Sequence, residues 1–539
     1  MHDKALIGLL QNKVMVGQMI RHMNAGTGRP TRQWGGNHGQ ARQKHKRKPN
    51  KAVRLPRNAP ETELTITSVG SRGDGIGTAR YTVGCETKDW TFYVPGSLAG
   101  EQVRVRPLSV TGKGLIAELV ELISPHPART APVCEVFTGV KGCGGCSLQH
   151  MSETAYQDWK LEQLKGIFDK AGLGQDSRRE KGSLTAPLFA QPIWTQMAGR
   201  RRARLSYRRT AESLIIGFTG RASHFIYPLE SCGVLQTELK QLVKQLNGWT
   251  APHLTAGQSG QIAVNMLSSG ADVLLLPDET LTDGVLTALS SALGSLPVCR
   301  LCVHQPDSDI PLLLVETAAA VLQLDRAAGS LRLYPPPGGF LQASSEAETA
   351  LIQAVLWAAA ACTDRRRTGR PLRVMDLYCG VGTFTLPLLA SGAMVVGYEA
   401  DRAAVDSLLA AAQTAAHGHY CNAHSRDLVA APVRAEEFFS AKGELEFDLI
   451  LLDPPRQGAA AQTAHLAVLA NHLSKDTTAS GPDIVMVSCN PHTAVRDIAV
   501  LVKAGWVLEE VRMIDQFVRT THTEIVARLV FVGRMKADR

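Results

Sequence analysis

The chain has 539 residues, too many for one compact core, and this length predicts about three domains. Hydrophobic residues make up 44% and charged residues 20% of the chain, which excludes a wholly disordered protein. No apolar run approaches the ~18 residues that cross a bilayer, so no membrane association is expected. The formal net charge of +9 favours a polyanionic partner.

The positive charge is concentrated at the start of the chain. Residues 1–58 carry 13 Lys and Arg against one acid, so they have a net charge of +12 and the remainder has −3. The run QARQKHKRKPNKAVRLPRN has few apolar residues and several turn formers. It predicts a disordered basic arm that contacts phosphates non-specifically, the alternative being a solvated tail without function.

Two domains are predicted between residues 59 and 335. Over residues 59–122, short alternating segments such as LTITSVG and EQVRVRPLSV, separated by glycines, predict a small β-barrel of about five strands. The region 123–335 has mixed α+β character. Within it, GRRRARLSYRR predicts a strand with Arg202, Arg204 and Arg208 on one face, either an RNA track or a charged sheet edge.

Residues 336–539 predict a doubly wound, Rossmann-like α/β domain. The apolar strands alternate with Ala- and Leu-rich helical segments, and they read LRVMDLYC, AMVVGYEA, FDLILLDPP, DIVMVSC and VLEEVRMI. Sheets of this kind bind ligands at the carboxyl ends of their strands, so the candidate site is expected there.

The first two strands predict a cofactor site. Asp376 ends the first strand, and Gly380 and Gly382 follow in a turn that a ligand can approach closely. Glu399 ends the next strand, where a carboxylate can accept both hydroxyls of a ribose. The turn lacks both an ATP-type phosphate loop and a full G-x-G-x-x-G, which favours S-adenosylmethionine over ATP or NAD.

Acidic side chains follow the next two strands as well. Asp427 lies in a loop after a third candidate strand and could bond the adenine amino group, the alternative being a plain turn residue. Asp453 ends LILLDPP, within reach of cofactor or substrate. Arg456 stands where enzymes that methylate exocyclic amines carry an aromatic residue, which disfavours that reaction.

A thiol and a carboxylate complete the candidate site. Cys489 ends an apolar strand just before a helix, whose positive terminus is expected to lower the thiol pKa. His522 and Glu524 come from a loop-to-strand junction near the end of the chain. Addition of a thiolate to carbon 6 of uracil makes carbon 5 nucleophilic, and a base must later remove the carbon-5 proton. Cys489 would be the nucleophile and Glu524 the base.

These motifs resemble the RNA (uracil-C5)-methyltransferase family. DLYCGVGTFTLPL, LLDPPRQG, VSCNP and THTE occur in the family's order, and the likeness extends from about Glu61 to Leu529. The best match is the bacterial 23S rRNA branch, which has an N-terminal TRAM barrel (OB-like) and an iron–sulfur cluster. The resemblance implies catalysis by Cys489 and Glu524. It also implies cofactor contacts from Gln342, Tyr378, Glu399, Asp427 and Asp453. One departure is visible, because Ala343 and Ser344 follow Gln342 where the family has a small residue and Asn.

Four cysteines form a candidate metal site. They are Cys134, Cys143 and Cys146, spaced as C-x8-C-x2-C, and the distant Cys232. Eleven cysteines without a convincing signal peptide indicate a reducing cytoplasm, not a disulfide framework. Zinc and a [4Fe–4S] cluster both suit such a set, and the resemblance favours the cluster, in a structural role.

The sequence thus predicts a multidomain cytoplasmic enzyme that methylates a uridine of structured RNA. The resemblance favours 23S rRNA, because tRNA-specific relatives typically lack the barrel and the cysteines. DNA is not an expected partner, and the protein is expected to be a monomer. The alternatives are the same chemistry on tRNA, a non-catalytic RNA-binding protein, and methylation of an amine.

Overall fold

The computed structural model describes residues 53–137, 142–174, 188–221, 223–294, 296–324, 331–366, 369–473 and 481–533. These residues belong to one compact unit. Nearly all of the predicted basic arm, residues 1–52, lies outside the described residues. Within the described ranges, no helix combines the length and the apolar character needed to cross a membrane.

The first described segment forms a small barrel. Its strands are β1 (Val53–Arg54), β2 (Thr62–Val69), β3 (Asp74–Val83), β4 (Glu86–Pro95), β5 (Gln102–Thr111) and β6 (Gly114–Ser124). β5 pairs with both β2 and β6, and β3 and β4 complete the ring, so β2–β6 close on themselves as predicted. The alternate residues that point inward form an apolar core of Ile66, Phe92, Val94, Val103, Val105 and Leu115.

A second sheet follows, with helices on one face. Its strands lie in the order β10-β9-β8-β11-β12-β13-β14. They are β8 (Arg202–Arg209), β9 (Leu214–Thr219), β10 (Ile226–Pro228), β11 (Ser259–Leu267), β12 (Gly270–Pro277), β13 (Val298–Val303) and β14 (Leu312–Glu316). The side chains of Ala203, Leu205 and Tyr207 are buried, so Arg202, Arg204 and Arg208 occupy the opposite, more open face, as the alternation predicts.

The third sheet is the largest and carries the candidate site. Its strand order is β19-β18-β17-β20-β21-β23-β22-β7. The strands are β7 (Ile193–Trp194), β17 (Arg373–Leu377), β18 (Met394–Glu399), β19 (Cys421–Ser425), β20 (Leu449–Leu452), β21 (Asp483–Ser488), β22 (Trp506–Asp515) and β23 (Glu524–Phe531). A separate two-stranded sheet pairs β15 (Leu322–Leu324) with β16 (Leu331–Leu333).

The described helices pack either on the second sheet or on the two faces of the large sheet. They are α1 (Glu153–Lys170), α2 (Thr237–Thr250), α3 (Asp283–Ser291), α4 (Ser345–Arg366), α5 (Thr385–Ala390), α6 (Arg402–Thr414), α7 (Ala460–Leu473) and α8 (Pro491–Ala504). Of these, α2 and α3 pack on the second sheet. Short 3-10 turns occupy Gly418–Tyr420 and Ala435–Phe438. Neighbouring residues of one strand, such as Val374 and Met375, enter two different apolar cores, which explains the continuous apolar strands of the sequence.

One strand departs from the predicted parallel arrangement. β17, β18, β19, β20 and β21 are parallel, whereas β23 runs antiparallel between β21 and β22. An antiparallel pair needs only a short connection, and residues 516–523 supply it without a crossover helix. This connection is called the closing turn below.

The closing turn is anchored by a buried carboxylate from β22. Asp515 forms an ion pair with Lys160 of α1, and both side chains are 1% exposed. The Tyr156 hydroxyl donates to the other Asp515 oxygen at 2.6 Å, and the Arg519 amide donates to that hydroxyl oxygen at 3.0 Å. Thus α1 and β7, which belong to the segment predicted as central, pack on the large sheet. The domain boundary at residue 335 stays a prediction.

We predict that Lys160→Met destabilises the protein by about 3–5 kcal/mol, because Asp515 stays buried without its countercharge. The matched control is Lys88→Met, since Lys88 pairs with Glu86 while both are largely exposed, and such pairs contribute little. Thermal unfolding followed by circular dichroism measures both variants. Equal midpoints for the two would contradict the role given to this ion pair.

Candidate active site

The predicted site residues come together through strand register. Leu377 of β17 lies beside Tyr398 of β18 and beside Leu452 of β20. The residues that follow these strand ends therefore share one edge of the sheet. They are Tyr378, Glu399 and Asp453.

The same register brings the thiol and the carboxylate together. Ser488 of β21 pairs with Ile525 of β23, and these strands are antiparallel. The next position outward therefore sets Cys489 opposite Glu524. Leu452 pairs with Met486, so Asp453 ends the neighbouring strand on the same edge. The sequence separates these groups by up to 71 positions, yet the sheet makes them neighbours.

The glycine-rich turn leaves room for a ligand. Gly380 and Gly382 have φ values of +54° and +94°, which side-chain-bearing residues rarely adopt. A Cβ at Gly382 would lie 2.5 Å from the Leu408 side chain, whereas the space above Gly380 is open. The Gly380 amide donates to Glu399 at 3.1 Å, which fixes that carboxylate beside the turn.

Two buried acceptors among the predicted site residues have unused hydrogen-bonding capacity. Asp376 accepts a 2.6 Å hydrogen bond from Thr385 at one oxygen, and its other oxygen has no partner among the described residues. The Gln342 side-chain oxygen is likewise buried without a partner in the described part of the chain. Burial raises the pKa of Asp376 to about 7. It raises the pKa of Asp453 to about 8, with a contribution from the charge of Asp376. These features fit a ligand that brings donors and positive charge, as S-adenosylmethionine does.

The two remaining predicted cofactor residues lie at the same edge with different exposure. Tyr378 is half-buried, and burial together with Asp497 and Asp427 raises its pKa to about 12, so the hydroxyl stays protonated. Asp427 is exposed at the end of β19 and accepts from the Val429 amide at 2.9 Å. This hydrogen bond is the one expected of an Asp in an ordinary turn, and the second Asp427 carboxylate oxygen is left for a ligand.

The environment of the thiol differs from the expectation. Burial and the charges of Glu524 and Asp453 raise the pKa of Cys489 to about 11. The predicted lowering of this pKa is therefore wrong for the free protein. The expected lowering rests on the helix that begins at Pro491, whereas two carboxylates from other strands, Glu524 and Asp453, oppose the thiolate. Arg456 alone among the charged neighbours acts in the lowering direction.

Glu524 is buried and contacts one glutamine. Glu524 is the first residue of β23 and is 4% exposed. Burial, and to a smaller extent the charge of Asp453, holds the pKa of Glu524 well above its usual range. The Gln516 amide donates to Glu524 at 2.9 Å and acts in the opposite direction. Gln516 is not among the residues that the sequence predicts for the site. The DQF sequence before THTE was the only signal, and nothing in it indicates a contact across the turn.

Arg456 and His522 form a pair at the rim. The Arg456 guanidinium lies 3.0 Å from His522 Nδ1. Burial and the charge of Arg456 lower the pKa of His522 to about 4, so the imidazole is neutral at physiological pH. The Arg456 backbone carbonyl accepts from the Asn490 side chain at 3.0 Å, which ties the loop after Asp453 to the residue after Cys489.

A small cavity lies beside Gln516. Its lining includes Arg200, Gln196, Ser344 and Thr520, which gives it a polar wall. Arg200 also acts on the pKa of His522 through its charge, so the cavity adjoins the rim of the site.

The four predicted metal-binding cysteines approach one another. The charges of Cys134, Cys143 and Cys232 each raise the pKa of Cys146, after the larger effect of burial. Cys134 and Cys146 are buried, whereas Cys143 and Cys232 are partly exposed. In the described ranges, no three His, Cys, Asp or Glu side chains are arranged to hold a single metal ion. The thiols converge, but not as the ligands of one ion.

The Rossmann-like fold is shared with a solved methyltransferase. A solved structure of Pyrococcus abyssi tRNA (uracil-54, C5)-methyltransferase, in complex with S-adenosyl-L-homocysteine, has the same fold over 87% of this chain and 100% of that one. The TM-score is 0.58 at 19% identity.

Sequence comparisons define the family. Residues 332–530 match the family model described as tRNA (Uracil-5-)-methyltransferase. An uncharacterized RNA methyltransferase of Caulobacter vibrioides is 33% identical over 467 residues, 86% of this chain and 98% of that protein. A 23S rRNA (uracil(1939)-C(5))-methyltransferase, RlmD, of Pseudomonas savastanoi pv. phaseolicola is 30% identical over 88% of this chain and 95% of its own length. The chain belongs to the RNA (uracil-C5)-methyltransferase family, and the prediction of such an enzyme is confirmed.

The raised thiol pKa predicts low reactivity in the free protein. At pH 8, iodoacetamide should alkylate the exposed Cys85 at least tenfold faster than Cys489, whose thiolate fraction is small when its pKa is about 11. Peptide mass spectrometry after brief alkylation compares the two sites in one sample. Alkylation of Cys489 should rise steeply towards pH 11. Faster alkylation of Cys489 than of Cys85 at pH 8 would contradict the electrostatic description.

Proposed function

We propose that this enzyme transfers a methyl group from S-adenosylmethionine to carbon 5 of a uridine in 23S rRNA, through a covalent bond between Cys489 and carbon 6. The observation that carries the proposal is the register between β21 and β23. Ser488 pairs with Ile525 in this antiparallel pair, so the next residue, Cys489, lies opposite Glu524. A thiol opposite a buried carboxylate, beside a cofactor edge, meets the requirements of methylation at a carbon.

The residues that would hold the cofactor surround the glycine-rich turn. Glu399 would accept the ribose hydroxyls and Asp427 would accept from the adenine amino group. Gln342, Tyr378 and Asp453 would contact the remainder of the molecule. When bound, S-adenosylmethionine supplies an electrophilic methyl group and a positive charge that offsets the nearby carboxylates.

The protein groups then account for each bond change on uracil. The Cys489 thiolate adds to carbon 6, and the electron pair of the 5,6 double bond makes carbon 5 nucleophilic. After carbon 5 has taken the methyl group, the Glu524 carboxylate removes the carbon-5 proton. The double bond re-forms and the thiolate leaves, so Cys489 is regenerated and Glu524 holds the proton.

The thiol must lose a proton before it can add. Its pKa is about 11 in the free protein because buried carboxylates oppose the thiolate, so positive charge has to enter the site first. Arg456 is the protein's own contribution, and the cofactor's charge would add to it. Because of this electrostatic requirement, we expect an ordered reaction in which the cofactor binds before Cys489 attacks carbon 6.

The proposed RNA target rests on the relatives. The similarity to 23S rRNA methyltransferases extends over 88% of this chain at 30% identity, whereas the solved tRNA enzyme is 19% identical. The target uridine would be flipped out of its stack, because carbon 6 is inaccessible in a helix. Arg202, Arg204 and Arg208 would contact RNA phosphates near the site. The tRNA alternative is favoured by the substrate of the solved structure.

The converging cysteines are proposed to hold a [4Fe–4S] cluster. A zinc ion and a [4Fe–4S] cluster can each be bound by four thiolates. The resemblance to the 23S rRNA branch, together with the mutual effect of the four thiols on the pKa of Cys146, supports the cluster as the proposal. The barrel is proposed to be the TRAM domain of the 23S rRNA branch.

We expect an RNA in which 5-fluorouridine replaces the target uridine to form a stable adduct with the wild type, because fluorine at carbon 5 cannot leave as a proton. The adduct should appear on a denaturing gel with a 23S rRNA fragment in the presence of S-adenosylmethionine, and not with tRNA. Cys489→Ala should form none, whereas the Cys85→Ala control should match the wild type. An adduct with Cys489→Ala would refute the assigned nucleophile.

Metal analysis tests the cysteine cluster. Protein purified anaerobically should contain iron and acid-labile sulfide in equal amounts, about four of each per chain. Cys134→Ser should lose most of both, since one of four ligands is removed, while the exposed Cys85 provides the control Cys85→Ser. Stoichiometric zinc without iron or sulfide would favour the single-ion alternative.

A further inference from the structure

One buried glutamine connects the segment that contains Gln342, a predicted cofactor residue, with the candidate base. The Gln516 side-chain oxygen accepts from the Ala343 amide at 2.8 Å, and its nitrogen donates to Glu524 at 2.9 Å. Ala343 directly follows Gln342, a predicted cofactor residue whose side-chain oxygen is buried without a partner among the described residues. A single side chain therefore links the segment that contains Gln342 with the candidate base.

The orientation of this amide is determined by its partners. The Ala343 amide can only donate, so it must face the Gln516 oxygen, and the nitrogen of Gln516 must then face Glu524. The Ala343 carbonyl in turn accepts from the Arg201 amide at 2.9 Å, which fixes the segment from its other side. Gln516 is 5% exposed, so water does not compete readily for these bonds.

The backbone at Gln516 is held independently of its side chain. The preceding residue, Asp515, is fixed by Lys160 and Tyr156, and its carbonyl accepts from the Thr195 hydroxyl at 2.6 Å. Substitution of the Gln516 side chain therefore leaves the main anchor of the closing turn in place. Variants at this position should fold.

A carboxylate base must be ionised when it takes its proton. The titratable groups that face Glu524 are Asp453 after β20 and Cys489 after β21, and both oppose a negative charge on it. On its own turn, His522 is neutral and paired with Arg456. The Gln516 amide is the contact that favours the charged form.

We propose that Gln516 is a positioning residue that favours the ionised form of the Glu524 carboxylate and fixes its orientation, and that it couples this base through Ala343 to the segment that contains Gln342. The inference rests on the proposed function, because it requires Glu524 to remove the carbon-5 proton. Gln516 itself does not touch the reacting atoms. Its effect falls on the last step, in which the methylated adduct is released.

Two variants and a matched control test the proposal. Gln516→Met retains the size of the side chain and removes both hydrogen bonds, while Gln516→Glu sets a second carboxylate against Glu524. The control is Gln462→Met, because Gln462 is also fully buried and bonds the backbone of Val433 at 2.9 and 3.0 Å, away from the acidic groups. The single-turnover rate at which free methylated RNA is released from the protein is measured as a function of pH, and covalent protein–RNA species are quantified on denaturing gels.

For Gln516→Met we expect the acidic limb of the pH–rate profile to move up by about one pH unit, because a hydrogen bond to a charged group has been lost. The methylated adduct should accumulate at pH 7, and the rate should approach the wild-type rate at alkaline pH. Gln516→Glu should move the limb further. Both variants should form the 5-fluorouridine adduct at wild-type yield, since that reaction needs no base at carbon 5.

The outcomes separate the two proposals. A Gln516→Met profile that coincides with the wild type, or that is lowered equally at every pH as a packing defect would lower it, overturns the role of Gln516 alone. A shift of the same size in Gln462→Met does so too. If the wild type yields neither methylated RNA nor a fluorouridine adduct, both the proposed function and this inference are wrong.

Discussion

The geometry of the candidate site depends on one buried carboxylate, Asp515. It is the last residue of β22, and it is held by Lys160 and Tyr156 from a helix that begins more than 300 residues earlier. Because its backbone is fixed, the closing turn leaves the sheet in one direction and returns Glu524 to a position opposite Cys489. The elements that precede the large sheet in sequence thus determine how its last strand presents the base.

The second constraint is electrostatic. Asp453 and Glu524 are buried near the Cys489 thiol, and Asp376 is buried near Asp453. Burial raises the pKa of each of these three carboxyls, which favours the protonated form. Such a site is poorly suited to catalysis until positive charge arrives, which a sulfonium cofactor would bring. The same charge is absent from the demethylated product, so the carboxylates would retain the cofactor and release its product. The same buried carboxylates would then favour both the binding of the cofactor and the release of its demethylated product.

The sequence predicts much of the site because strands that are apolar along their whole length end in polar residues. Asp376, Glu399, Asp453 and Cys489 were assigned to strand ends by this rule, and register across the sheet brings their positions together. The contacts of Gln516 and Lys160 could not be predicted, since Lys160 and Asp515 are 355 positions apart and no local pattern connects them. The direction of the Cys489 pKa shift could not be predicted, because the sequence shows the nearby helix terminus but not the carboxylates that other strands bring to the thiol.

The central claim is that Cys489 and Glu524 act in succession on one uridine, and tritium at carbon 5 of the target tests it most directly. With wild-type enzyme, tritium should enter water in step with methyl incorporation. With Glu524→Gln, methyl should be incorporated while tritium stays in a covalent protein–RNA species. Release of tritium by Glu524→Gln at the wild-type rate, or methyl incorporation without any tritium release by the wild type, would contradict the account.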